Sequence, residues 1–258
     1  MTTKHTTHAQ SGFSLVELMI ALLLGTLVIA AAGGIFIANR QTFRSTENLG
    51  NVQEGMRTAF ELMARDLREA SGNPCSRSAP LANVINAPAS RWWTGMTDWG
   101  LGIRGYGANI AFADSAFGTA SAQRLDGTEA IELFASQSPV HTVASHDAGG
   151  ANFTMVDANH GFGQGDILLV CSPRHAGLFQ ASAVAGNTIS HAVGGTPGNC
   201  TASLNVPANC SGGMRYQFNS TGVDTVIARL HAARWYVANN PAGRPSLYQQ
   251  RIVTVTQQ

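Results

Sequence analysis

The feature of this sequence that most limits its fold is an apolar run over residues 13–38, FSLVELMIALLLGTLVIAAAGGIFIA, in which Glu17 is the one charged residue. As a helix, this run would be about 39 Å long at about 1.5 Å per residue. The hydrocarbon core of a bilayer is about 30 Å thick. We therefore expect residues 13–38 to form a transmembrane helix.

The polar start of the chain also resembles the beginning of a secretory signal peptide. Residues 1–12, MTTKHTTHAQSG, contain Lys4 and lack acidic residues. However, the apolar run is longer than the usual apolar region of about 7–15 residues, and no small-x-small cleavage site follows it. The arginines after the run, at 40, 44 and 57, oppose the usual excess of basic residues on the cytoplasmic side. We nevertheless expect a helix that stays in the membrane with residues 1–12 in the cytoplasm.

Glu17 is the unusual residue of the apolar run. A carboxylate within a membrane helix costs a few kcal/mol and marks a functional candidate. One alternative places Glu17 at the level of the lipid headgroups, where its charge is cheap. That alternative does not explain why Gly12 directly precedes Phe13 with a glutamate four residues later.

Residues 12–22, GFSLVELMIAL, resemble the prepilin signature of type IV pilins and pseudopilins. The resemblance implies that a prepilin peptidase cuts between Gly12 and Phe13 and that the same enzyme N-methylates the new amine of Phe13. It also implies that Glu17 acts in assembly. The Glu17 carboxylate can pair with the terminal amine of a neighbouring subunit, so that each charge is compensated only in the stacked assembly.

Residues 39–71 are predicted to continue the helix as an amphipathic stem. Apolar residues recur there at steps of three and four, which is the period of a helix with one apolar face. They are Leu49, Val52, Met56, Ala59 or Phe60, Met63, Leu67 and Ala70. We expect this stripe to pack on the sheet of the chain itself, and Gly72-Asn73-Pro74 to end the helix.

Residues 72–258 are predicted to form a β-rich head with antiparallel pairing. Strand-like segments are separated by glycine, proline and asparagine. They are 129–135, 152–158, 165–172, 178–186, 187–193, 215–220, 224–239 (as two strands) and 246–256. Hairpin turns are expected at 186–187 and 239–243.

The segment 75–128 reads as irregular. The sequence GLGIRGYG at 100–107 is interpreted as a turn-rich loop, since its order is not GxGxxG and no clear strand precedes it. Trp92, Trp93 and Trp99 are expected to pack rather than to stack on bases or sugars, because no basic residues are interleaved with them.

Two stretches of the head, 165–184 and 234–250, resemble PilW-like minor pilins. The resemblance implies an α+β, pilin-like fold in which a long N-terminal helix packs on an antiparallel β-rich head. Such proteins usually continue with an acidic-hydrophobic segment and one or two more strands. Because this chain ends at Gln258, we expect either a short member or an incomplete C-terminal end.

The four cysteines, at 75, 171, 200 and 210, form no CxxC and have no histidine at metal-ligand spacing. In an exported domain, disulfides are favoured over free thiols. We expect a local bond between Cys200 and Cys210, which leaves Cys75 and Cys171 as a possible long-range pair. Four cysteines allow three connectivities, so the other two stay open.

The sequence offers no recognisable catalytic frame: GxSxG, HExxH and a P-loop are absent. The eight histidines do not cluster in the sequence, and His146-Asp147 and Asp157/His160 are interpreted as solvated loops. A net charge of +1 gives no broad basic surface for nucleic acid. We therefore predict no enzyme, no cofactor, no metal and no clear nucleic-acid site.

The predicted function is that of a minor pilin that assists assembly or initiation of a type IV pilus, located in the bacterial inner membrane with its head in the periplasm and later at the cell surface. The implied partners are the prepilin peptidase and methylase, other minor pilins and the major pilin, the inner-membrane assembly platform, and membrane lipid. One alternative is a J-type minor pseudopilin of a type II secretion system. Another is a pilus-mounted adhesin or DNA-uptake subunit, for which Arg91, Trp92, Trp93, Arg104 and Tyr106 are the available residues.

Overall fold

The computed structural model describes residues 12, 14–70, 72–76, 78–94, 102–208, 210, 213–219 and 224–252. The chain divides into two compact units, Met1–Phe60 and Glu61–Gln258. One helix, α1 (Leu15–Glu69), supplies the described secondary structure of the first unit and enters the second. At about 1.5 Å per residue its 55 residues measure about 83 Å. The predicted end of the helix before Gly72 is confirmed to within two residues.

The apolar stripe of the stem is not buried along its whole length. Leu49, Val52, Met56 and Phe60, which belong to the first unit, are exposed by 58%, 57%, 68% and 72%, and their packing on the sheet stays a prediction. Further along, Ala59, Met63, Ala64 and Ala70 are half-buried and Asp66 is buried. Asp66 and the half-buried residues around it mark the part of α1 that contacts the sheet.

The described part of the second unit is organised by one ten-stranded sheet. Its strands are β1 (Leu81–Asn83), β2 (Ile103–Tyr106), β3 (Ala130–Asp147), β4 (Asn152–Met155), β5 (Ile167–Cys171), β6 (Ala176–Gln180), β7 (Ala183–Ala185), β8 (Thr188–Ser190), β9 (Val226–Asn239) and β10 (Pro245–Arg251). The main path is β1-β6-β5-β9-β3-β4-β8-β7, with β10 paired to β9 and β2 paired to β3. All described pairs are antiparallel except β1 with β6. The α+β, pilin-like fold class is confirmed.

Two long strands, β3 and β9, form the centre of the sheet. The segment 224–239 was predicted as two strands and is a single one, because Leu230, Ala232 and Ala233 keep it buried through its middle. The predicted strand at 129–135 continues to Asp147. A register shift between Gln137 and His141 lets β3 pass Pro139, which has no N–H to donate, and still pair with β9 on both sides.

Other segments also differ from prediction: the expected strand 178–186 is divided between β6 and β7, and the segment 75–128, expected to be irregular, contains β1 and β2. GLGIRGYG contains β2, which pairs with β3 from Ile103↔Leu133 to Tyr106↔Ala130. The glycines of this segment led the sequence to be interpreted as a loop, although it contains a strand at the edge of the sheet. Conversely, the described residues of 215–220 form no strand. Both predicted hairpins are confirmed: β7 and β8 meet at Gly186-Asn187, where Gly186 has φ +57°, and β9 and β10 meet at 240–244.

The sheet separates two apolar cores, because alternate residues of a strand point to opposite faces. In β5, Leu169 and Cys171 belong to one core with Phe134, whereas Leu168 and Val170 belong to the other with Phe153. A strand buried on both faces explains why ILLVC reads as one continuous apolar run.

The structure bonds Cys75 to Cys171 and Cys200 to Cys210. Cys171 ends β5 in the middle of the sheet, and Cys75 lies six residues beyond the end of α1. The first bond closes 96 residues and the second closes 10. They therefore constrain the unfolded chain to very different degrees.

Removing the two disulfides is expected to destabilise the head unequally. In the chain-entropy account, a loop of 96 residues is worth about 4.7 kcal/mol and one of 10 residues about 2.7 kcal/mol. Denaturant unfolding of Cys75→Ser/Cys171→Ser and of Cys200→Ser/Cys210→Ser should show a larger loss in the first variant, by about 2 kcal/mol. Equal losses, or a larger loss in the second variant, would contradict this assignment.

Candidate functional site: the start of the helix and the charged centre of the head

The first turn of α1 is capped by a serine. The amide N–H of Glu17 donates to Ser14 Oγ at 3.2 Å, and the amide N–H of Leu18 donates to the Ser14 carbonyl at 3.2 Å. Ser14 therefore occupies the N-cap, where a side-chain oxygen satisfies an amide that has no partner within the helix. The Ser-x-x-Glu order is that of a capping box. Gly12 precedes this cap in non-helical, exposed backbone.

Glu17 lies in this first turn, among exposed apolar side chains. Its neighbours Leu15, Val16, Leu18 and Met19 are each more than half exposed. The positive end of the helix dipole favours a carboxylate there, although by no more than about 1 kcal/mol when exposed. In a low-dielectric surrounding, a larger compensation has to come from a cation outside the helix.

Among the described residues, α1 is the one helix long and apolar enough to cross a membrane, judged by length and composition. An 18-residue window within it has a mean hydropathy of 2.5. Thr26 Oγ donates to the Leu23 carbonyl at 2.9 Å, so its hydroxyl needs no water. Phe13, the predicted site of methylation, lies outside the described residues, as does the leader up to residue 11.

The head contains a buried charged cluster that the sequence did not reveal. Arg234 is 1% exposed, and its guanidinium lies 4.4 Å from the ring centroid of Trp92 and 4.2 Å from that of Phe112. Both carboxylate oxygens of Asp114 accept from Arg234 at 3.0 Å, and Glu132 is 3.5 Å away. This arrangement attaches the segment before β3 to the centre of β9.

Glu132 also contacts Arg104 and Tyr106, two of the residues available for the adhesin or DNA-uptake alternative. Tyr106 donates its hydroxyl to Glu132 at 2.9 Å, and Arg104 lies 3.8 Å from the same oxygen. Burial raises the pKa of Glu132, while Tyr106, Arg234 and Arg104 oppose that rise. Arg104 and Tyr106 are thus engaged in contacts with the buried carboxylate of Glu132 within the head.

The tryptophans serve packing. Trp92 and Trp93 pack against the core that contains Phe134, and the Arg91 guanidinium lies 6.0 Å from the ring of Trp93. Arg91 Nε also donates to the Asn86 carbonyl at 3.2 Å. The packing prediction is confirmed for Trp92 and Trp93, while Trp99 lies outside the described residues.

A pocket of about 460 Å³ opens beside the last turn of α1, lined by Arg65, Asp66, Arg68, Glu69, Gly72, Ser136, Gln137, Ser138, His231 and Arg251. Asp66, 4% exposed, accepts from Trp235 Nε1 at 2.8 Å and from Gln249, and lies 3.5 Å from Arg251. Arg65 pairs with Glu69 at 3.3 Å. The pocket is therefore an internally paired junction between the end of α1 and the strands β9 and β10.

The histidines are arranged differently from prediction. His146 and His160, interpreted as parts of solvated loops, are buried at 7% and 5% exposure. His146 meets His191, with 3.1 Å between their Nε2 atoms, and the rings of His141 and His160 lie 6.2 Å apart. The pairs join residues far apart in the chain, so no local pattern signalled them. Within the described ranges, no three histidine, cysteine, aspartate or glutamate side chains are grouped to hold a metal ion.

Residues 7–33 match a protein family described as the prokaryotic N-terminal methylation motif. The match includes Gly12, Phe13 and Glu17 and covers about a tenth of the chain. It supports a protein of the type IV pilin or pseudopilin kind, made with a leader that prepilin peptidase processes, and it favours a structural role over catalysis. The motif and the apolar helix both fit anchoring in a membrane. No curated protein and no solved structure matches the chain.

Proposed function

We propose that this protein is a minor pilin of the PilW-like kind that helps to initiate a type IV pilus. The observation that carries the proposal is the matched motif, in which the leader, Gly12, Phe13, Glu17 and the apolar run fall in register. The head would face the periplasm and would later lie at the cell surface. The partners would be the prepilin peptidase and methylase, the major and other minor pilins, and the inner-membrane assembly platform.

The geometry at the start of α1 supports this role. Ser14 satisfies the amide of Glu17, and the exposed Glu17 carboxylate can meet a partner's cation. A terminal amine at residue 13 of a neighbouring subunit would supply that cation. Each subunit would then contribute one buried charge of each sign, and stacking would compensate both.

A J-type pseudopilin of a type II secretion system would use the same start of the helix, and neighbouring genes for pilus or secretion components would separate the two. The adhesin or DNA-uptake alternative is less well supported. Its candidate residues are engaged in internal contacts, with Trp92 under Arg234 and Tyr106 on Glu132.

The precursor is expected to be cut after Gly12 and N-methylated at Phe13. The sequence provides a sharp assay, because Lys4 is its single lysine and the leader therefore carries both the lysine amine and the original terminal amine. After the cut, the amine of residue 13 is the only one left. Reductive methylation with deuterated formaldehyde followed by mass analysis should find one reactive amine that already carries one methyl group.

A chain that starts at Met1 and has two reactive amines would contradict the cut, as would a new terminus beyond residue 30. Protein from a strain without the prepilin peptidase is the matched control and should keep both amines.

Glu17→Gln and Glu17→Val should be processed normally but should enter filaments poorly. Each removes the charge that a neighbour's amine would compensate, and only Glu17→Gln preserves the shape of the side chain. Glu47→Gln is the control, since Glu47 is an exposed carboxylate further along the same helix. The measurement is the ratio of this protein in sheared filaments to that in membranes. A wild-type ratio for both Glu17 variants would refute an assembly contact.

Deletion of the protein is expected to leave few surface filaments and a normal membrane pool of the major subunit. The head after α1, residues 72–258, is bulky for a subunit repeated along a thin shaft and is more easily accommodated at a tip. A tip subunit acts at the nucleation of the filament. Its loss would therefore raise the free-energy barrier to nucleation without depleting the membrane pool of the major subunit. Electron microscopy and immunoblotting measure the two quantities.

Blocking filament retraction in the deletion strain should restore some filaments, because slow initiation then has time to accumulate product. Abundant filaments in the deletion strain, with only attachment or DNA uptake lost, would overturn the initiation role and favour the adhesin alternative.

A further inference from the structure

We propose that residues 213–219 are an acid-released latch: they are held on the head by the uncharged rings of His146, His175 and His191, and they detach when these rings take up protons. The proposal concerns the head alone and does not depend on the function proposed above.

The latch has no regular secondary structure, and it is held by side chains and by one backbone bond, from the Tyr216 N–H to the Ser203 carbonyl at 2.8 Å. Gln217 Nε2 donates to the His146 carbonyl, and Asn219 Nδ2 donates to the Ala144 carbonyl at 2.9 Å. Arg215 donates to the Ala148 carbonyl at 2.6 Å. These bonds fasten the segment along the end of β3, and the ring of Phe218, 1% exposed, enters the core beneath it.

The hydrogen bonds fix which nitrogen of each histidine carries its proton. Nδ1 of His146 accepts from the amide N–H of Phe218 at 3.1 Å, so in the neutral ring the proton is on Nε2. That N–H faces Nε2 of His191 at 3.1 Å, which must accept. The proton of His191 is then on Nδ1, a buried atom without a hydrogen-bond partner. Every nitrogen role in the pair therefore requires both rings to be neutral.

Protonation of either ring would break this arrangement. A proton on His146 Nδ1 would confront the Phe218 N–H and remove the acceptor that holds the latch. A proton on His191 Nε2 would confront the N–H of His146. Aromatic rings enclose the pair: Phe153 stacks on His146 at 4.1 Å, and Phe179 lies 5.6 Å from His191. The cavity offers little to solvate a cation.

Burial lowers the pKa of His146 to about 4 and that of His191 to about 3. Two charged groups act on the pair: Asp147 raises the pKa of His146, whereas Arg215, together with His146, lowers that of His191. The low values mean that the folded head keeps both rings neutral well below the pH at which free histidine is protonated.

His175 holds the same segment from another side. Its ring stacks on Tyr216 with centroids 3.8 Å apart and lies 5.6 Å from Phe218, and its Nε2 donates to the Leu204 carbonyl at 2.8 Å. Burial lowers the pKa of His175, and the Leu204 carbonyl opposes that shift. Protonation of His146, His175 and His191 as the pH falls therefore favours the released state of the latch.

The direction follows from linkage. An open latch leaves the histidines to protonate near pH 6.5, whereas the closed latch keeps them neutral, so the open state binds more protons below that pH. The closed state is fully favoured above pH 6.5 and loses its advantage as the pH falls toward 4. Between pH 7 and pH 5, each of His146 and His191 should raise the opening constant about 20-fold.

Hydrogen exchange of the full chain in detergent, at pH 7.0 and 5.0 and corrected for the intrinsic exchange rate, tests the latch. Peptides covering 213–219 should lose protection by about 20-fold to about 400-fold. Peptides from the C-terminal half of β9, 232–239, should retain their protection. Unchanged protection of 213–219, or an equal loss throughout the head, would overturn the proposal.

Variants assign the effect to the histidine pair. In His191→Gln, an amide oxygen can accept from His146 and does not titrate, so the pH 7 to pH 5 ratio should shrink about 20-fold. His141→Gln is the control, because His141 contacts Phe162 rather than the latch and should keep the wild-type ratio. If His191→Gln is unfolded at pH 7, the wild-type chain still tests the proposal, because the gain in exchange at pH 5 must be confined to the latch. A wild-type ratio in folded His191→Gln would refute the role of the pair.

Discussion

The head depends on the pairing of β3 with β9. Ten residue pairs, from Ala130↔Tyr236 to Thr142↔Val226, join these strands across a register shift. The other edge of β9 is divided between β5 and β10, and the other edge of β3 between β2 and β4. Because each of these two strands is long enough to accept two further partners on its other edge, a chain with many short strands can still build one continuous sheet. Their side chains also carry the polar anchors: Trp235 to α1, Arg234 to the segment before β3, and His146 to the latch.

The sequence predicted what local pattern encodes and missed what long-range contact creates. Twenty-six residues with one charge predicted the apolar helix, and Gly186-Asn187 predicted a hairpin, because both signals lie within a few residues. β2 was missed because its strand character comes from its partner β3 rather than from IRGY itself. The burial of Arg234 and Glu132 was equally invisible, since charged residues are rarely buried unless partners distant in sequence are brought to them.

The candidate site divides in the same way. Gly12, Phe13 and Glu17 could be selected from the sequence because a leader, a small residue, an aromatic residue and a carboxylate recur at fixed spacing before an apolar run. The cap supplied by Ser14 could also have been read from Ser-x-x-Glu. By contrast, the meeting of His146 with His191 depends on β4 pairing with both β3 and β8, which places the ends of β3 and β8 on either side of β4. The periodicity and composition of the sequence do not reveal that His146 and His191 lie close together.

The bond between Cys75 and Cys171 gives the head a mechanical property. Tension that passes the Asp66 contacts with β9 and β10 reaches the chain just before Cys75, and the disulfide transfers it to the end of β5, a strand hydrogen-bonded on both sides by β6 and β9. The loop between the two cysteines, a separation of 96 residues or about 320 Å of extended chain, lies outside the path of the load. A subunit pulled by its stem would therefore stretch as a short covalent tether attached to the middle of a sheet, and β1, β2, β3 and β4 would carry none of the tension through their own backbone.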